Sequence, residues 1–175
     1  MGRRPVWEDA YCEFFAARQR AFMRTAYTIL GSWQSAEDVV QTTLSTMYVH
    51  WPRIQDGSRD AYARRVLVNA CMATFRSVRN ETVTDAPPDR GVSHEAADRL
   101  DLARALQLLN TRDRVVLTLR YLDDLSVHDV AAILDVPTGT VKSQTSRALK
   151  RLKAAVNKWI SKPQSSDPAT RKTKR

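Results

Sequence analysis

An all-α protein, made of two small helical domains joined by a flexible linker, is predicted by three features of the sequence. Apolar residues recur at helical spacing through long windows on both sides of one aperiodic stretch. Five glycines and 7% aromatic residues favour helices over a sheet. The aperiodic stretch itself, Asn80 to Glu95 (NETVTDAPPDRGVSHE), collects Pro87, Pro88 and Gly91 with acidic and hydroxyl residues, the composition of a domain boundary. The expected organisation is a front domain over residues 8–79, a linker over 80–95, a rear domain over 96–160 and a disordered basic tail over 161–175.

The opening helix runs from Trp7 to Leu30, with Phe14, Phe15, Ala17, Ala21, Phe22, Thr25, Ala26, Ile29 and Leu30 at its apolar positions, and Gly31 supplies the stop. Ser35 is the expected cap of a second helix, with Glu37 and Asp38 in its first turn, where the helix dipole favours carboxylates. That helix continues through Val39, Val40, Leu44, Met47 and Tyr48 to Trp51, and Pro52 closes it. Its exposed side carries Asp38, Gln41 and Thr42, an acidic and polar patch on a basic protein; dipole matching explains the carboxylates but not Gln41.

A polar loop follows from Pro52 to Asp60 with Gly57 at its tip, and helical periodicity resumes from Ala61 to Arg79. Tyr62, Val66, Leu67, Ala70, Cys71 and Phe75 form its apolar side; Arg59, Arg64, Arg65, Asn69, Arg76 and Arg79 form a cationic, hydrogen-bonding side. Arginines interleaved with rings and an amide suit melted nucleic acid, because rings stack on bases while guanidinium groups follow the backbone. A merely solvated arginine face fits this segment equally well.

In the rear half Ala96 to Leu109 is helical, and Thr111 is the expected cap of a helix from Arg112 to Leu122 with Val115, Val116, Leu119 and Leu122 inward. The stretch Ser126 to Leu152 then reads as two helices joined by a tight turn. Ser126 and Asp129 form a capping box; Val127, Val130, Ala131, Ile133 and Leu134 make a short apolar face; and Asp135-Val136-Pro137 breaks the chain before it restarts at Thr138. In the second helix Val141, Ala148 and Leu152 face inward with Thr145 as a polar break, while Lys142, Ser143, Ser146, Arg147, Lys150 and Arg151 face outward. Gly139 and Thr140 keep its N-terminal end small. This reads as a DNA-binding helix-turn-helix, with a cationic second helix suited to phosphates and base edges in a major groove; the blander reading is an amphipathic solvated helix in a small bundle.

A net charge of +9 and a pI near 10 point to a polyanionic partner such as nucleic acid. Cys12 and Cys71 lie far apart among apolar helical residues, and are expected to be reduced packing residues of a cytoplasmic protein. No apolar run approaches the length of a membrane span, and the residues after Arg3 and Arg4 lack an apolar signal core. An enzyme needs clustered carboxylates, a phosphate loop or a metal site. The acids here fall at helix starts or in the linker, and His50, His94 and His128 are isolated, so neither catalytic residues nor a cofactor nor a metal is expected.

With both halves laid out, the chain resembles the bacterial extracytoplasmic-function sigma factors, promoter-specificity subunits of RNA polymerase, and within them the actinobacterial SigE group. The resemblance covers about Glu13 to Lys158 and is carried by AEDVVQ at Ala36 to Gln41, ARRVLVN at Ala63 to Asn69 and GTVKSQTSRAL at Gly139 to Leu149, in that order. It implies a sequence-specific initiation factor whose front domain corresponds to sigma region 2 and whose rear domain corresponds to region 4. Glu37, Asp38, Gln41 and Thr42 are then implied to dock on the clamp helices of the largest polymerase subunit, with the flap of the second-largest subunit as a further contact. Arg53, Gln55, Gly57 and Ser58 belong to the loop implied to capture a flipped base of the minus-ten element, with Tyr62, Arg65 and Asn69 beside it. Arg120, Thr138, Thr140, Lys142, Ser143, Ser146, Arg147 and Lys150 are implied to touch the minus-thirty-five element. An anti-sigma factor is a common partner in such families. A helix-turn-helix regulator of another class would need a receiver or ligand domain upstream, and the all-helical front half with AEDVVQ offers neither.

Overall fold

The computed structural model describes residues 5–78 and 105–160; the linker, the first residues of the expected Ala96 to Leu109 helix and the basic tail lie outside them. Among the described residues there is no strand. The front half contains α1 (Glu8–Leu30), α2 (Trp33–His50) and α3 (Arg59–Val78), with 3₁₀ turns at Trp51–Arg53 and Asp56–Ser58 between the last two. The rear half contains α4 (Thr111–Leu117), extended by a π-helical turn over Thr118–Leu122, then α5 (Val127–Leu134) and α6 (Thr138–Ile160).

Local chemistry sets most boundaries. Gly31 ends α1 in the left-handed region at φ +77°, its amide donating to the Tyr27 carbonyl at 2.7 Å. The cap of α2 is Ser32, not Ser35. The Ser32 hydroxyl accepts from the Ser35 amide, so the helix starts a turn earlier than expected and Glu37 and Asp38 fall outside its first turn. The next cap moves in the same direction. Asn110, rather than Thr111, caps α4 by accepting from the Asp113 amide at 3.0 Å. In both cases two polar residues compete for the role and the earlier one wins, which lengthens α2 by about a turn and α4 by one residue. The capping box of α5 forms as expected, and the Ser126 hydroxyl holds the Asp129 carboxyl below its usual range. Asp135 turns the chain at φ 55°, in the left-handed region that aspartate tolerates better than most residues.

The segment expected as one α-helix to Leu122 changes character at Thr118. One extra residue enters the turn, the Asp123 amide reaches back to the Thr118 carbonyl at 3.1 Å, and Asp124 takes φ 51°. This re-aims everything after Leu119, including Arg120 and Asp123.

An aromatic cluster holds the front half together. Trp51 is 1% exposed and meets Tyr11 edge-on at 5.3 Å and Phe14 at 5.4 Å between centroids, while the Tyr11 hydroxyl donates to the Leu44 carbonyl. Burial pushes the Tyr11 phenol up to about 12, which keeps it a donor throughout the working pH range. Phe22, Ile29, Met47, Leu67 and Val68 fill the space between α1, α2 and α3.

The two halves are packed against each other. Their core is continuous, running from Phe22 and Leu67 through Val115 and Leu119 to Val130, Ile133 and Val141. Polar bonds cross the same boundary. The Asp123 carboxylate accepts from the Thr25 hydroxyl at 2.8 Å and from Arg64 at 2.5 Å, and Gln107 donates to the Thr28 carbonyl at 2.8 Å. Burial raises the Asp123 carboxyl above the usual range even against these donors, a measure of how far the contact excludes water. Arg114, 7% exposed, donates to the carbonyls of Leu106, Gln107 and Leu109 in its own half and of Ile29 in the other.

The cysteines differ from each other. Cys71 is buried, and burial pushes its thiol up to about 12, whereas Cys12, expected to pack inside, is exposed on the outer face of α1. A thiol reagent at pH 8 is expected to modify Cys12 within minutes and Cys71 only after unfolding, since the thiolate is the reactive form. Two rapidly reacting thiols in the native protein would contradict the packing of α3.

Candidate nucleic-acid and polymerase interface

The rear surface is built by α6. Its periodicity buries Val141, Thr145 and Ala148 and leaves Lys142, Ser143, Ser146, Arg147 and Lys150 exposed together, with Thr138 and Thr140 at the open N-terminal end. Thr145 bonds the Val141 carbonyl at 2.7 Å, so the polar break in the apolar stripe is satisfied within the helix. A β-carbon placed on Gly139 would meet nothing within 4 Å, so the helix start is open to a partner surface. Arg120 reaches the same face from the π turn and, with Val127, Lys142, Ser146, Leu149 and Lys150, borders an open groove. Its guanidinium donates to the Leu125 carbonyl, which ties the arginine to the turn before α5. Arg151 faces outward as expected, its side chain 56% exposed, and it also bonds the buried Asp113 at 2.5 Å.

On the front half Glu37, Asp38, Gln41 and Thr42 all lie exposed along one side of α2, with the Thr42 hydroxyl turned back to the Asp38 carbonyl. The loop residues Arg53, Gln55, Gly57 and Ser58 are exposed as well, and Arg65 and Asn69 continue that exposure along α3. Tyr62 is half-buried, its ring 6.2 Å from His50. Tyr62, Arg65 and Asn69 are separated by three and four residues and so share one helix face next to the loop.

The loop is anchored by contacts that the sequence pattern did not show. The Arg59 guanidinium lies 4.1 Å above the Trp51 ring and its Nη2 is 2.5 Å from Asp56. Ser58 donates to the Gln55 carbonyl through both its amide and its hydroxyl, each at 2.9 Å.

Two members of the expected cationic and stacking face of α3 are engaged elsewhere. Arg64 has a side chain only 12% exposed and is bonded to Asp60 and Asp123, and Phe75 is covered by the Arg114 guanidinium 5.5 Å from its centroid. Burial works against ionised Asp60, but its bonds to Arg64 and Arg18 still hold it below the usual carboxylate range. Asp60, four residues before Arg64 on α3, supplies one of its bonds, and its other partner, Asp123, comes from the rear half; Arg65 has only Ala61 at the matching position. Among the described residues no three His, Cys, Asp or Glu side chains come together as a metal site requires, and no helix is long and apolar enough to cross a membrane.

Residues 14–81 match the family model for Sigma-70 region 2, and residues 99–152 match that for Sigma-70, region 4. The RNA polymerase sigma-E factor of Streptomyces coelicolor is 35% identical over 147 residues, 81% of this chain and 82% of that protein. The ECF RNA polymerase sigma factor SigL of Mycobacterium tuberculosis is 33% identical over 140 residues, 74% of this chain and 79% of that protein. The fold is similar to that of the sigma factor RpoE, solved in complex with the anti-sigma factor NepR from Bartonella quintana. The TM-score is 0.74 at 24% identity, covering 85% of this chain and 97% of that one. Two sigma regions in order, relatives of this identity over most of their length, and an all-helical fold shared with a solved sigma factor place the chain in the extracytoplasmic-function sigma factor family of RNA polymerase.

Proposed function

We propose that the chain carries out its sigma-factor role through three separate surfaces. A sigma factor is a non-enzymatic initiation factor that binds core RNA polymerase and directs it to promoter DNA. Glu37, Asp38, Gln41 and Thr42 of α2 dock on core polymerase, at the clamp helices of its largest subunit. The loop carrying Arg53, Gln55, Gly57 and Ser58, with Tyr62, Arg65 and Asn69 beside it, captures and opens the minus-ten element. Thr138, Thr140, Lys142, Ser143, Ser146, Arg147 and Lys150 of α6, with Arg120, read the minus-thirty-five element in duplex form. The work is done where polymerase meets the chromosome, in the cytoplasm.

The observation that supports this division best is the exposed row on α6. Cations and hydroxyls share one face from the open N-terminal end onward, over a buried apolar stripe, which is what insertion into a major groove demands. The acidic patch of α2 supports it from the other direction, since like charges on nucleic acid would repel it.

Arg147→Ala is expected to weaken upstream-element binding by about 1–3 kcal/mol if the side chain meets a base edge, with capture by core polymerase unchanged. Asp38→Ala is expected to weaken polymerase capture and leave binding to an upstream duplex alone. Competition binding to labelled core, run beside a mobility assay on promoter duplex, separates the two; identical behaviour of the variants in the core assay would refute the division. If core supplied with this protein makes no more promoter-dependent run-off transcript than core alone, across a promoter library, the surfaces have been misassigned altogether.

A further inference from the structure

We propose that Arg59 is the positioning residue of the minus-ten loop: resting on Trp51, its guanidinium holds Asp56 and cancels the carboxylate's charge, so the DNA strand meets a preformed tip that does not repel it. The inference rests on the minus-ten reading above and names how that surface is prepared.

The brace starts in the core. Trp51 is 1% exposed and wedged against Tyr11 and Phe14, so its ring cannot follow movements of the loop. The Arg59 guanidinium lies 4.1 Å from the centroid of that ring, with its Nε enclosed and its Nη2 2.5 Å from the Asp56 carboxylate. The Arg59 amide meanwhile donates to the Asp56 carbonyl, so one residue holds Asp56 by main chain and side chain together. Arginine suits this double task, because a flat cation can stack on a ring through its face and bond a carboxylate through its edge.

Gly57 does not set the shape of the tip. Its backbone lies outside the left-handed region, and a β-carbon there would meet nothing within 4 Å, so neither strain nor crowding calls for glycine. The shape comes from the two bonds of Ser58 to the Gln55 carbonyl and from the grip on Asp56.

The exposed carboxylate is the reason that grip matters. The Asp56 side chain is 86% exposed, one position from the tip that is assigned to receive an anionic strand. Bare, it would repel phosphates at close range; paired, it leaves the loop with the positive charge of Arg53. An ion pair this open to solvent adds little to stability, so its effect falls on binding. A loop already shaped also loses less freedom when the strand arrives. Arg59, with a side chain 22% exposed and engaged by Trp51 and Asp56, acts through Asp56 and not by following the DNA backbone itself.

The test compares Arg59→Gln, Asp56→Asn and the double variant, each as the full chain reconstituted with core polymerase. The probe is the strand that the unmodified holoenzyme enriches most from a randomised single-stranded pool. Arg59→Gln is expected to bind it about tenfold less tightly, whereas the same change made in the Asp56→Asn background costs no more than about twofold. Melting temperature and affinity for core are expected to stay unchanged throughout. Amide exchange at Ser58 and Arg59 is expected to be slow in the unmodified chain and faster in Arg59→Gln. An equal loss in both backgrounds would mean that Arg59 touches the strand directly, and would overturn the proposal; so would no loss in either. Fast exchange at both amides before any substitution would overturn the preformed loop. If the unmodified holoenzyme enriches no strand, the minus-ten reading fails and the role of Arg59 in binding with it, while the exchange rates still judge the brace.

Discussion

Arg114→Ala is expected to destabilise the protein by about 3 kcal/mol, a fall in melting temperature on the order of 10 °C. Arg114 is the only side chain serving four carbonyls at once among the described bonds: Leu106 at 3.1 Å, Gln107 at 3.1 Å, Leu109 at 3.0 Å and Ile29 at 2.6 Å. These carbonyls sit at the end of the helical segment before α4 and near the end of α1, where helical amide donors run out; of the four, Leu106 also accepts from the Leu109 amide at 3.0 Å. Burial pulls the guanidinium down to about 10, which leaves it charged at neutral pH and shows what desolvation costs. The arrangement persists because four of the five guanidinium N–H groups meet carbonyls; removing the donor leaves the Ile29, Gln107 and Leu109 oxygens without that partner and short of full solvent. Arg114→Lys is expected to recover less than half of the loss, since a point charge cannot reproduce a planar fork aimed at four oxygens. Urea unfolding of the three proteins checks this. A loss below about 1 kcal/mol for alanine would mean that water replaces the guanidinium and that the segment is less enclosed than described.

Trp51→Ala is expected to cost about 3–5 kcal/mol, and Trp51→Phe only about 1 kcal/mol. The ring is enclosed by Tyr11, Phe14 and the Arg59 guanidinium, so truncation opens a large cavity beneath the minus-ten loop. Its Nε1 is buried without a hydrogen-bond partner, so phenylalanine gives up ring area and some cation–π attraction but no hydrogen bond. If phenylalanine proves nearly as damaging as alanine, the indole nitrogen must be bonded in solution and the packing account fails. The two variants also separate stability from loop function. Arg59 holds Asp56 while resting on Trp51, so the alanine variant is expected to lose affinity for a minus-ten single strand, whereas binding of an upstream duplex through α6 is kept.

Local signals in the chain were sufficient for the helices and for the exposed rows. The capping box of Ser126 and Asp129, the stop at Gly31 and the break at Pro137 each depend on atoms within one turn of themselves, so they read the same in a peptide as in the fold. The same holds for the outward row of α6, because a period of about 3.6 residues carries polar side chains to one side whatever they later touch. Where two capping residues competed, at Ser32 and Ser35 and at Asn110 and Thr111, local preference differs by about a few tenths of a kcal/mol, too little for the sequence to choose between them.

Arg64 and Arg65 mark the limit most clearly. They are adjacent, chemically identical and on one helix, and by itself the sequence determined only that they lie about 100° apart around its axis and that Arg64 alone has an acid, Asp60, four residues before it. The tertiary structure decided that Arg64 would be enclosed against Asp123, 59 positions away, and that Arg65 would remain 48% exposed. The same decision buried Arg114 and set its guanidinium over the Phe75 ring. The physical reason is range: hydrogen bonds and helix periodicity act between neighbours along the chain, whereas desolvation depends on which distant surface arrives, and that surface here comes from the other half of the molecule.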